Sequence, residues 1–356
     1  MTELRGPVEV VGVGLLGTSI ALVCRRIGLD VVLRDVDPGH VRTATSLGAG
    51  RAATPADRPQ LVVVAVPPEA VADAVVDALA RTDAVVTDVG SIKTRPLEQV
   101  TARVSPQGMS RYVGSHPMEG SERSGPLAAS AALFDGRPWA VTPHEHADAT
   151  AVELVELLVL ECGATPVTMT PAEHDQAVAR TSHLPHMASV LVAARLAGAP
   201  ESQLALSGQG VRDVTRVAGS DPVMWQQIIH ANADALLGLL GEVQRDLAQL
   251  IDAVSSGATD TVADLLERGN AGTRAIPGKH GGPAKPMRSI YVAVSDQPGE
   301  LARLFADAGE IGVNIEDVRI DHDPGRPGGL TEIVVQETAA EGLERALESR
   351  GWTTHR

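Results

Sequence analysis

The first 168 residues of this chain alternate short Val-rich runs with longer amphipathic stretches, and this alternation restricts the possible folds more than any other feature. Near-continuous apolar runs are typical of strands that are covered on both faces. The pattern therefore predicts an α/β domain with a Rossmann-like, doubly wound parallel sheet. The predicted strands are Val8 to Gly14, Asp30 to Asp35, Leu61 to Val66, Ala84 to Gly90 and Trp139 to Thr142.

The sequence changes character twice beyond this region. After Pro171 the apolar positions recur at helical spacing, which predicts an all-helical domain. A stretch rich in Gly, Pro and Lys then predicts a linker, and beyond it a β-α-β-β-α pattern predicts a ferredoxin-like α+β module. The predicted domains are a dinucleotide-binding domain (1–170), a helical substrate and dimerisation domain (171–270), a linker (271–287) and a regulatory module (288–356).

Composition excludes several classes of partner. The net charge of −15, from 45 acidic and 30 Lys and Arg residues, opposes binding to nucleic acid. Cys24 and Cys162 are too few for a disulfide framework and lack metal-ligand spacing. Met1 to Val10 has no signal-peptide pattern, and no apolar run approaches the length that spans a bilayer. We expect a soluble cytoplasmic protein without a membrane partner.

A glycine motif at the end of the first predicted strand indicates a dinucleotide site. Gly12, Gly14 and Gly17 follow this strand and open a helix. Gly12 allows a tight turn, Gly14 lets backbone N–H groups approach a pyrophosphate, and Gly17 lets helix and strand pack closely. Because a strand, a helix and an acid all accompany the motif, a dinucleotide site is favoured over a purely structural turn.

The choice between NAD and NADP depends on the second strand. Asp35 ends this strand and can accept both ribose hydroxyls, while it would repel a 2′-phosphate, so NAD is the expected cofactor. Arg34 complicates this expectation, because an arginine there could tolerate a 2′-phosphate. Further candidate cofactor contacts are Leu16, Val66 and Pro67, although the last two also fit a plain strand stop.

Two polar residues are expected at the carboxyl edge of the sheet. Ser91 follows the fourth predicted strand, and His116 follows the next apolar stretch. Both therefore face the crevice in which α/β sheets bind ligands. A histidine is suited to removing a hydroxyl proton near neutral pH, which makes His116 a candidate base. A lone histidine after a strand is more often structural, and the coincidence with Ser91 favours the catalytic interpretation.

These residues belong to a longer ordered set of motifs, and the set resembles the prephenate dehydrogenase family, including arogenate dehydrogenase. The resemblance runs from about Val8 to Leu250. The motifs are Gly12 to Ser19, Asp88 to Lys93, Gly114 to Glu122, Glu173 to Asp175, Ser182 to His186, Asp213 to Arg216 and Asp221 to Trp225. The resemblance implies that His116 is the general base on a ring hydroxyl, that Ser91 binds this hydroxyl or orients His116, and that Ser121 contacts the substrate.

The helical region supplies further candidates by the same resemblance. It implies that His183 and His186 line the substrate pocket and that Arg216 holds a substrate carboxylate, with Arg212 as a weaker second. From spacing alone, the two histidines share one helical face, and buried structural groups or metal ligands are alternatives. We predict no metal, since no carboxylate or cysteine falls at a matching spacing. Trp225 fits a pocket wall or, more commonly, a core position.

The carboxy-terminal module resembles the ACT domain that binds amino acids in many biosynthetic enzymes. The resemblance implies feedback by a tyrosine effector at Asp296, Gly299 and Asn314. The turn from Asp296 to Gly299 offers free N–H groups that suit a carboxylate, and Asn314 is expected to begin the next strand close by. A dimerisation module that binds nothing is the alternative.

Three other functions compete with NAD-dependent prephenate dehydrogenation in tyrosine biosynthesis. Arogenate dehydrogenation would suit a negative charge at Glu119, where many members of the family carry a small or apolar residue. A β-hydroxyacid dehydrogenase would use a lysine base. A sensor that binds NAD and an amino acid without turnover is disfavoured by the joint presence of His116, Ser91 and Arg216. The family usually forms homodimers, and the stretch from Asn232 to Val254 has more apolar surface than one helix needs.

Overall fold

The computed structural model describes residues 2–119, 124–277, 286–322 and 328–355. The chain divides into two compact units, Met1–Ala248 and Gln249–Arg356. Among the described residues, no helix combines the length and the apolar character that a membrane crossing needs.

The first unit is built on one eight-stranded sheet with the strand order β3-β2-β1-β4-β5-β6-β7-β8. Its strands are β1 (Val8–Val11), β2 (Val31–Arg34), β3 (Arg51–Ala52), β4 (Leu61–Val64), β5 (Val85–Asp88), β6 (Tyr112–Pro117), β7 (Pro138–Thr142) and β8 (Thr165–Thr168). The predicted Rossmann-like sheet is confirmed, with short strands at β3 and β8 that lack a strong apolar run. The residues of β4 are all buried, as expected of a strand covered on both faces.

One pair of strands departs from the predicted parallel sheet. β6 and β7 are antiparallel, whereas the other neighbouring strands of this sheet run parallel. A parallel connection needs a long crossover, usually a helix. The described part of residues 118–137 contains only the short 3-10 turn Pro126–Ala128, so the chain returns in the opposite direction.

Two apolar layers cover the faces of this sheet. One includes Val8, Val10, Val31 and Leu33. The other includes Val62, Val64 and Val86 together with residues of the helix after β4. The helices of this part are α1 (Leu15–Arg26), α2 (Pro38–Ser46), α3 (Val71–Arg81), α4 (Thr94–Thr101), α5 (Pro106–Met109) and α6 (Ala149–Glu161). This layering brings the turns after β1, β4 and β5 to one edge of the sheet.

A helical segment follows the sheet, as predicted. It contains α7 (Pro171–Val178), α8 (Leu184–Leu196), α9 (Glu201–Leu204), α10 (Gln209–Thr215), α11 (Pro222–Ala231) and α12 (Ala233–Ser256), and the boundary between the two units falls within α12. Beyond it, α13 (Thr259–Ala275) continues five residues into the stretch predicted as a linker. Residues 278–285 of that stretch lie outside the described residues.

The rest of the second unit is a small antiparallel sheet with two helices. Its elements are β9 (Met287–Ser295), α14 (Glu300–Glu310), β10 (Asp317–His322), β11 (Gly328–Gln336), α15 (Glu337–Ser349) and β12 (Thr353–His355). The strand order is β10-β11-β9-β12, which is the ferredoxin-like arrangement. Apolar residues of α14 and α15 pack against Ile290, Val292 and Ile333 on one face of the sheet.

Candidate active site

The turn after β1 has the geometry of a dinucleotide cradle. Gly12 adopts φ +89°, and a Cβ on Gly12 or Gly17 would collide with the backbone of Ala65 or Gly12, respectively. A Cβ on Gly14 would meet nothing within 4 Å. The backbone at Gly14 therefore faces open space at the beginning of α1, where a pyrophosphate can approach the N–H groups. The residues present thus fit a bound dinucleotide.

Asp35 is held beside this turn. Its Oδ2 accepts a hydrogen bond of 2.8 Å from the N–H of Val13, and its Oδ1 accepts one of 2.8 Å from the N–H of Asp37. These bonds fix the carboxylate at the edge where a ribose would lie. Val36 is fully exposed next to it, and an exposed apolar side chain in this position suits the face of an adenine. Sequence analysis did not single out Val36.

The remaining predicted cofactor residues lie around the same turn. Leu16 is in the first turn of α1 and packs against the core of the sheet. Val66 contacts the glycine turn, since a Cβ on Gly12 would approach its Cγ1. Pro67 follows at the end of β4. Their positions match the crevice at the carboxyl edge.

His116 is part of a chain of hydrogen-bonded side chains. Its Nδ1 lies 2.9 Å from Nε2 of His174, and Nδ1 of His174 lies 2.8 Å from Oδ1 of Asp175. Because an ionised carboxylate can only accept, His174 carries its proton on Nδ1 and accepts at Nε2. His116 must then carry its proton on Nδ1, which leaves the lone pair of its Nε2 free. This is the form that a general base requires.

Asp175 is itself anchored by the loop that carries Ser91. Its Oδ1 accepts a hydrogen bond of 2.9 Å from the N–H of Lys93, and its Oδ2 accepts one of 2.8 Å from the N–H of Thr94. Asn232 donates a bond of 2.8 Å to the backbone carbonyl of Asp175. The carboxylate is thereby fixed to the first turn of α4, and the orientation of His116 depends on both regions.

The pKa values of this chain of groups keep the histidines neutral. Burial, followed by the proximity of His174 and Lys93, holds the pKa of His116 well below its usual range. Burial also lowers the pKa of His174, against the opposing effect of its bond to Asp175. Although burial alone would raise the pKa of Asp175, the bonds from His174 and the backbone lower it. A neutral imidazole near a fixed anion is the result.

A second buried network lies directly beneath His116. The ammonium of Lys93 contacts a carboxylate oxygen of Asp88 and donates to the carbonyl of Ser115 at 2.7 Å. Asp88 accepts a further bond of 2.8 Å from the hydroxyl of Tyr112. Lys93 and Asp88 are almost completely buried, and each lies next to a partner of opposite charge. The network fixes β5 and β6 in the register that positions His116.

The helical segment contributes an aromatic cluster. Between α7 and α8 the helix opens into a π turn, Ala179–His183, and Pro185 follows two residues later. A proline cannot donate to the preceding turn and clashes with the carbonyl of residue 181, and the wide turn relieves this clash. His183 and His186 are buried, and both contact Trp225. The ring of His186 stacks on it at 3.4 Å and 5°, whereas that of His183 meets it edge-on at 5.9 Å.

Burial has the same electrostatic effect on both histidines. It lowers the pKa of His183 to about 4 and also lowers the pKa of His186. Asn232 lies 3.2 Å from Nδ1 of His183, so one amide links this residue to Asp175. The helical cluster and the chain of groups behind His116 are therefore connected through Asn232.

The remaining predicted substrate residues, and Ser91, differ in what the structure shows of their surroundings. Ser91 lines a cavity of about 220 Å³ whose wall also includes Arg95, Gln227 and His230. Arg216 lies in a 3-10 turn, Arg216–Gly219, that packs against α8, and its side chain is exposed, as is that of Arg212. Ser121 lies outside the described residues.

Glu119 does not present an unpaired charge. Its Oε2 lies 3.0 Å from Nε of Arg137, and the side chain is mostly buried. The sequence hypothesis of a negative charge that attracts an ammonium group is weakened by this ion pair.

The carboxy-terminal candidates are not brought together within one chain. Asp296 and Gly299 lie at the turn after β9, where Gly299 adopts φ +95° and begins α14. Asn314 was expected to begin a neighbouring strand, but it precedes β10 by three residues. Since β9 and β10 both run antiparallel to β11, the end of β9 and the beginning of β10 are at opposite ends of the sheet, about 20 Å apart.

The fold and the site together define a class. A Rossmann-type turn that fits a dinucleotide, next to an oriented neutral histidine, is typical of nicotinamide-dependent dehydrogenases. Comparison with known proteins narrows this class. A family model described as prephenate dehydrogenase, nucleotide-binding domain, matches residues 20–168, and one described as prephenate dehydrogenase, dimerization domain, matches residues 170–268.

Relatives and solved structures agree. A probable prephenate dehydrogenase, NovF, of Streptomyces niveus is 36% identical and covers 96% of this chain and 98% of its own. The structure of prephenate dehydrogenase from A. aeolicus in complex with hydroxyphenyl propionate and NAD+ has a TM-score of 0.68 at 26% identity, covering 75% and 96%. Arogenate dehydrogenase of Synechocystis has a TM-score of 0.64 at 27% identity, covering 75% and 98%. The chain belongs to the prephenate dehydrogenase family.

Proposed function

We propose that the chain catalyses the NAD-dependent oxidative decarboxylation of prephenate to 4-hydroxyphenylpyruvate, a step of tyrosine biosynthesis. The observation that carries this proposal is the orientation of His116 by His174 and Asp175, beside a sheet edge that fits a dinucleotide. Family membership supplies the substrate class.

The chain's own residues supply the proton chemistry. His116 takes the proton of the ring hydroxyl on its free Nε2. The positive charge that develops on the imidazole of His116 is stabilised through His174 by the anchored carboxylate of Asp175. The glycine turn and Asp35 would hold NAD, which would supply the acceptor for the hydride of the carbon that bears the hydroxyl, and the ring carboxylate would leave as carbon dioxide. Because the ring becomes aromatic, the reaction is effectively irreversible.

Substrate binding is proposed for the helical segment. His183 and His186 pack against the ring of Trp225 and place imidazole nitrogens next to an aromatic surface. Arg216 would hold a carboxylate by a forked contact, and its exposed side chain is available for this. We retain Ser91 as a contact of the hydroxyl and Ser121 as a contact of the substrate, on the strength of the family resemblance alone.

Arogenate dehydrogenation is the second candidate. It is favoured by the structural similarity to the Synechocystis arogenate dehydrogenase. The argument from Glu119 is weakened, because Arg137 compensates its charge. We therefore favour prephenate, whose keto group needs no anionic partner.

We also propose a homodimer formed through the helical segment. The family model for residues 170–268 is described as a dimerization domain. In the single chain, α12 exposes a line of apolar side chains along one face, which a second copy would cover. In the first unit these residues are Leu237, Val243 and Leu247.

A tyrosine effector at the carboxy-terminal module and a cytoplasmic location complete the proposal. The ferredoxin-like strand order and the left-handed Gly299 at the beginning of α14 support an amino-acid-binding ACT module. Because Asp296 and Asn314 lie at opposite ends of the sheet, such a site needs residues from a second copy. Two unpaired, buried cysteines are in keeping with a reducing compartment.

The test is NADH formation by the purified chain with prephenate or arogenate in parallel, each with and without tyrosine. Turnover of prephenate with the higher kcat/KM supports the proposal, and a higher value for arogenate selects the second candidate. Binding of NAD without turnover of either substrate contradicts both and favours a sensor.

A further inference from the structure

The charges around β1 bear on which dinucleotide the chain accepts. Arg34 ends β2 and precedes Asp35, in the position from which an arginine could bind a 2′-phosphate. In the structure its Nε donates a hydrogen bond of 2.8 Å to Oε1 of Glu9. Glu9 lies within β1 and is 2% exposed, so Arg34 is bound to a buried carboxylate.

The strand register gives the direction of this ion pair. Arg34 is the neighbour of Val11 in β1, whereas Glu9 lies two residues nearer the amino end. At about 3.3 Å per residue, the carboxylate of Glu9 originates about 7 Å farther from the nucleotide edge. The pair therefore draws the guanidinium away from that edge. Asp35, one residue later, instead contacts the N–H of Val13 at the glycine turn.

Glu9 also binds a second arginine. Arg81, at the end of α3, donates to Oε2 of Glu9 at 2.7 Å and to Oε1 at 2.9 Å. Its Nε donates to Asp77 at 2.9 Å. Glu9 thus makes charge-assisted hydrogen bonds to two guanidinium groups. Moving Arg34 towards a 2′-phosphate would break one of these charge-assisted bonds.

We infer that Glu9 is a determinant of dinucleotide selectivity, because it holds Arg34 away from the 2′-phosphate position. The carboxylate of Asp35 repels the 2′-phosphate of NADP. Glu9 binds the guanidinium of Arg34, which would otherwise offset this repulsion. The inference rests on the dinucleotide site of the proposed function, but it does not depend on which substrate is oxidised.

The test is the ratio of the Kd for NADP to the Kd for NAD, measured by titration calorimetry on the full chain. Glu9→Gln keeps the size of the side chain and removes its charge, which weakens the bond that holds Arg34. We expect the ratio to fall about tenfold, the size of one charge-assisted contact with a phosphate. The double variant Glu9→Gln/Arg34→Gln should return the ratio to the parental value.

Asp77→Asn is the matched control, because it removes a carboxylate from Arg81 and leaves the bond between Glu9 and Arg34. Its ratio should equal the parental one within about twofold. A folded Glu9→Gln variant with an unchanged ratio overturns the inference, as does a double variant that keeps the lowered ratio.

Arg34→Gln in the parental chain tests the inference even if Glu9→Gln does not fold. If Glu9 keeps Arg34 away from the 2′-phosphate, this variant leaves the ratio of the Kd for NADP to the Kd for NAD unchanged. A clear rise in the ratio shows that Arg34 already contacts NADP, and the inference is then wrong. Failure of the proposed reaction would be seen differently, as nucleotide binding without turnover.

Discussion

Nδ1 of His116 lies 2.9 Å from Nε2 of His174, and this contact determines which nitrogen of His116 is free to act as a base. The determining group is the carboxylate of Asp175, which fixes the proton of His174 and, through it, the proton of His116. The orientation and the protonation state of His116 are thus set by two residues of α7, the first helix after the sheet.

Replacement of His174 by Gln should lower kcat by about 10- to 100-fold, because His116 loses its orienting partner. The Kd for NAD should stay unchanged, since the described hydrogen bonds of the His174 side chain go to His116 and Asp175 and not to the glycine turn. His146→Gln, at an exposed histidine, is the control. A parental kcat in the His174 variant would show that the contact has no catalytic role.

Replacement of His116 by Asn removes the base itself. Turnover should fall by about 10² to 10⁴, with NAD binding preserved in calorimetry. The fall should exceed that of the His174 variant, because the latter retains a misoriented base. Equal turnover of the His116 variant and the parental chain would remove this residue from the mechanism.

The pH profile of kcat/KM should place the acidic limb below the ordinary histidine value of about 6.5. His116 must be neutral to act, and burial lowers its pKa, so activity is retained as the pH falls through 6.5 and is lost only below it. Initial rates with prephenate across pH 4.5 to 8 check this. An acidic limb centred above pH 6.5 would contradict the proposed environment of the base.

Folding stability should depend on pH through His183. Its pKa is lowered to about 4 in the folded chain, so its contribution is full above about pH 6.5 and is lost as the pH falls towards 4. At pH 5 this single group should cost about 2 kcal/mol of the free energy of unfolding. Denaturation at pH 7 and pH 5 should show a smaller difference for His183→Gln than for the parental chain. An equal difference in both proteins would refute the assignment.

Two glycines of the nucleotide turn should respond differently to alanine. Gly14→Ala should leave the melting temperature unchanged and weaken NAD binding, because its Cβ fills only the open space of the cradle. Gly12→Ala should lower the melting temperature as well, since φ +89° disfavours a side chain and the backbone of Ala65 blocks it. Thermal denaturation and calorimetry separate the two effects. Unweakened NAD binding by Gly14→Ala would place the pyrophosphate elsewhere.

The parts of the site that depend on local sequence could be predicted from it. The glycine turn, Asp35 and the position of His116 after a strand follow from short motifs in a regular α/β pattern. His174 and Asp175 could not be assigned roles in this way, because their partners lie 58 and 82 residues away and are reached only through tertiary packing.

The same limit applies to charges and to chain direction. Arg34 next to Asp35 looked available for a phosphate, and only the packing of β1 against β2 shows that Glu9 binds it. The antiparallel direction of β7 has a similar origin, since it depends on the connection before it and not on the composition of the strand. Local patterns thus predict which elements form, whereas pairings between distant residues need the folded chain.

The π turn at Ala179–His183 holds one residue more than the same stretch of α-helix would, because its hydrogen bonds reach one residue farther along the chain. Each residue of a regular helix turns the chain by about 100°. If this wide turn closed to a regular helix with all its residues retained, the residues after it would therefore rotate by about that angle, and His186 would leave the ring of Trp225. The position of His186 thus depends on the width of this one turn as much as on the side chains of the cluster.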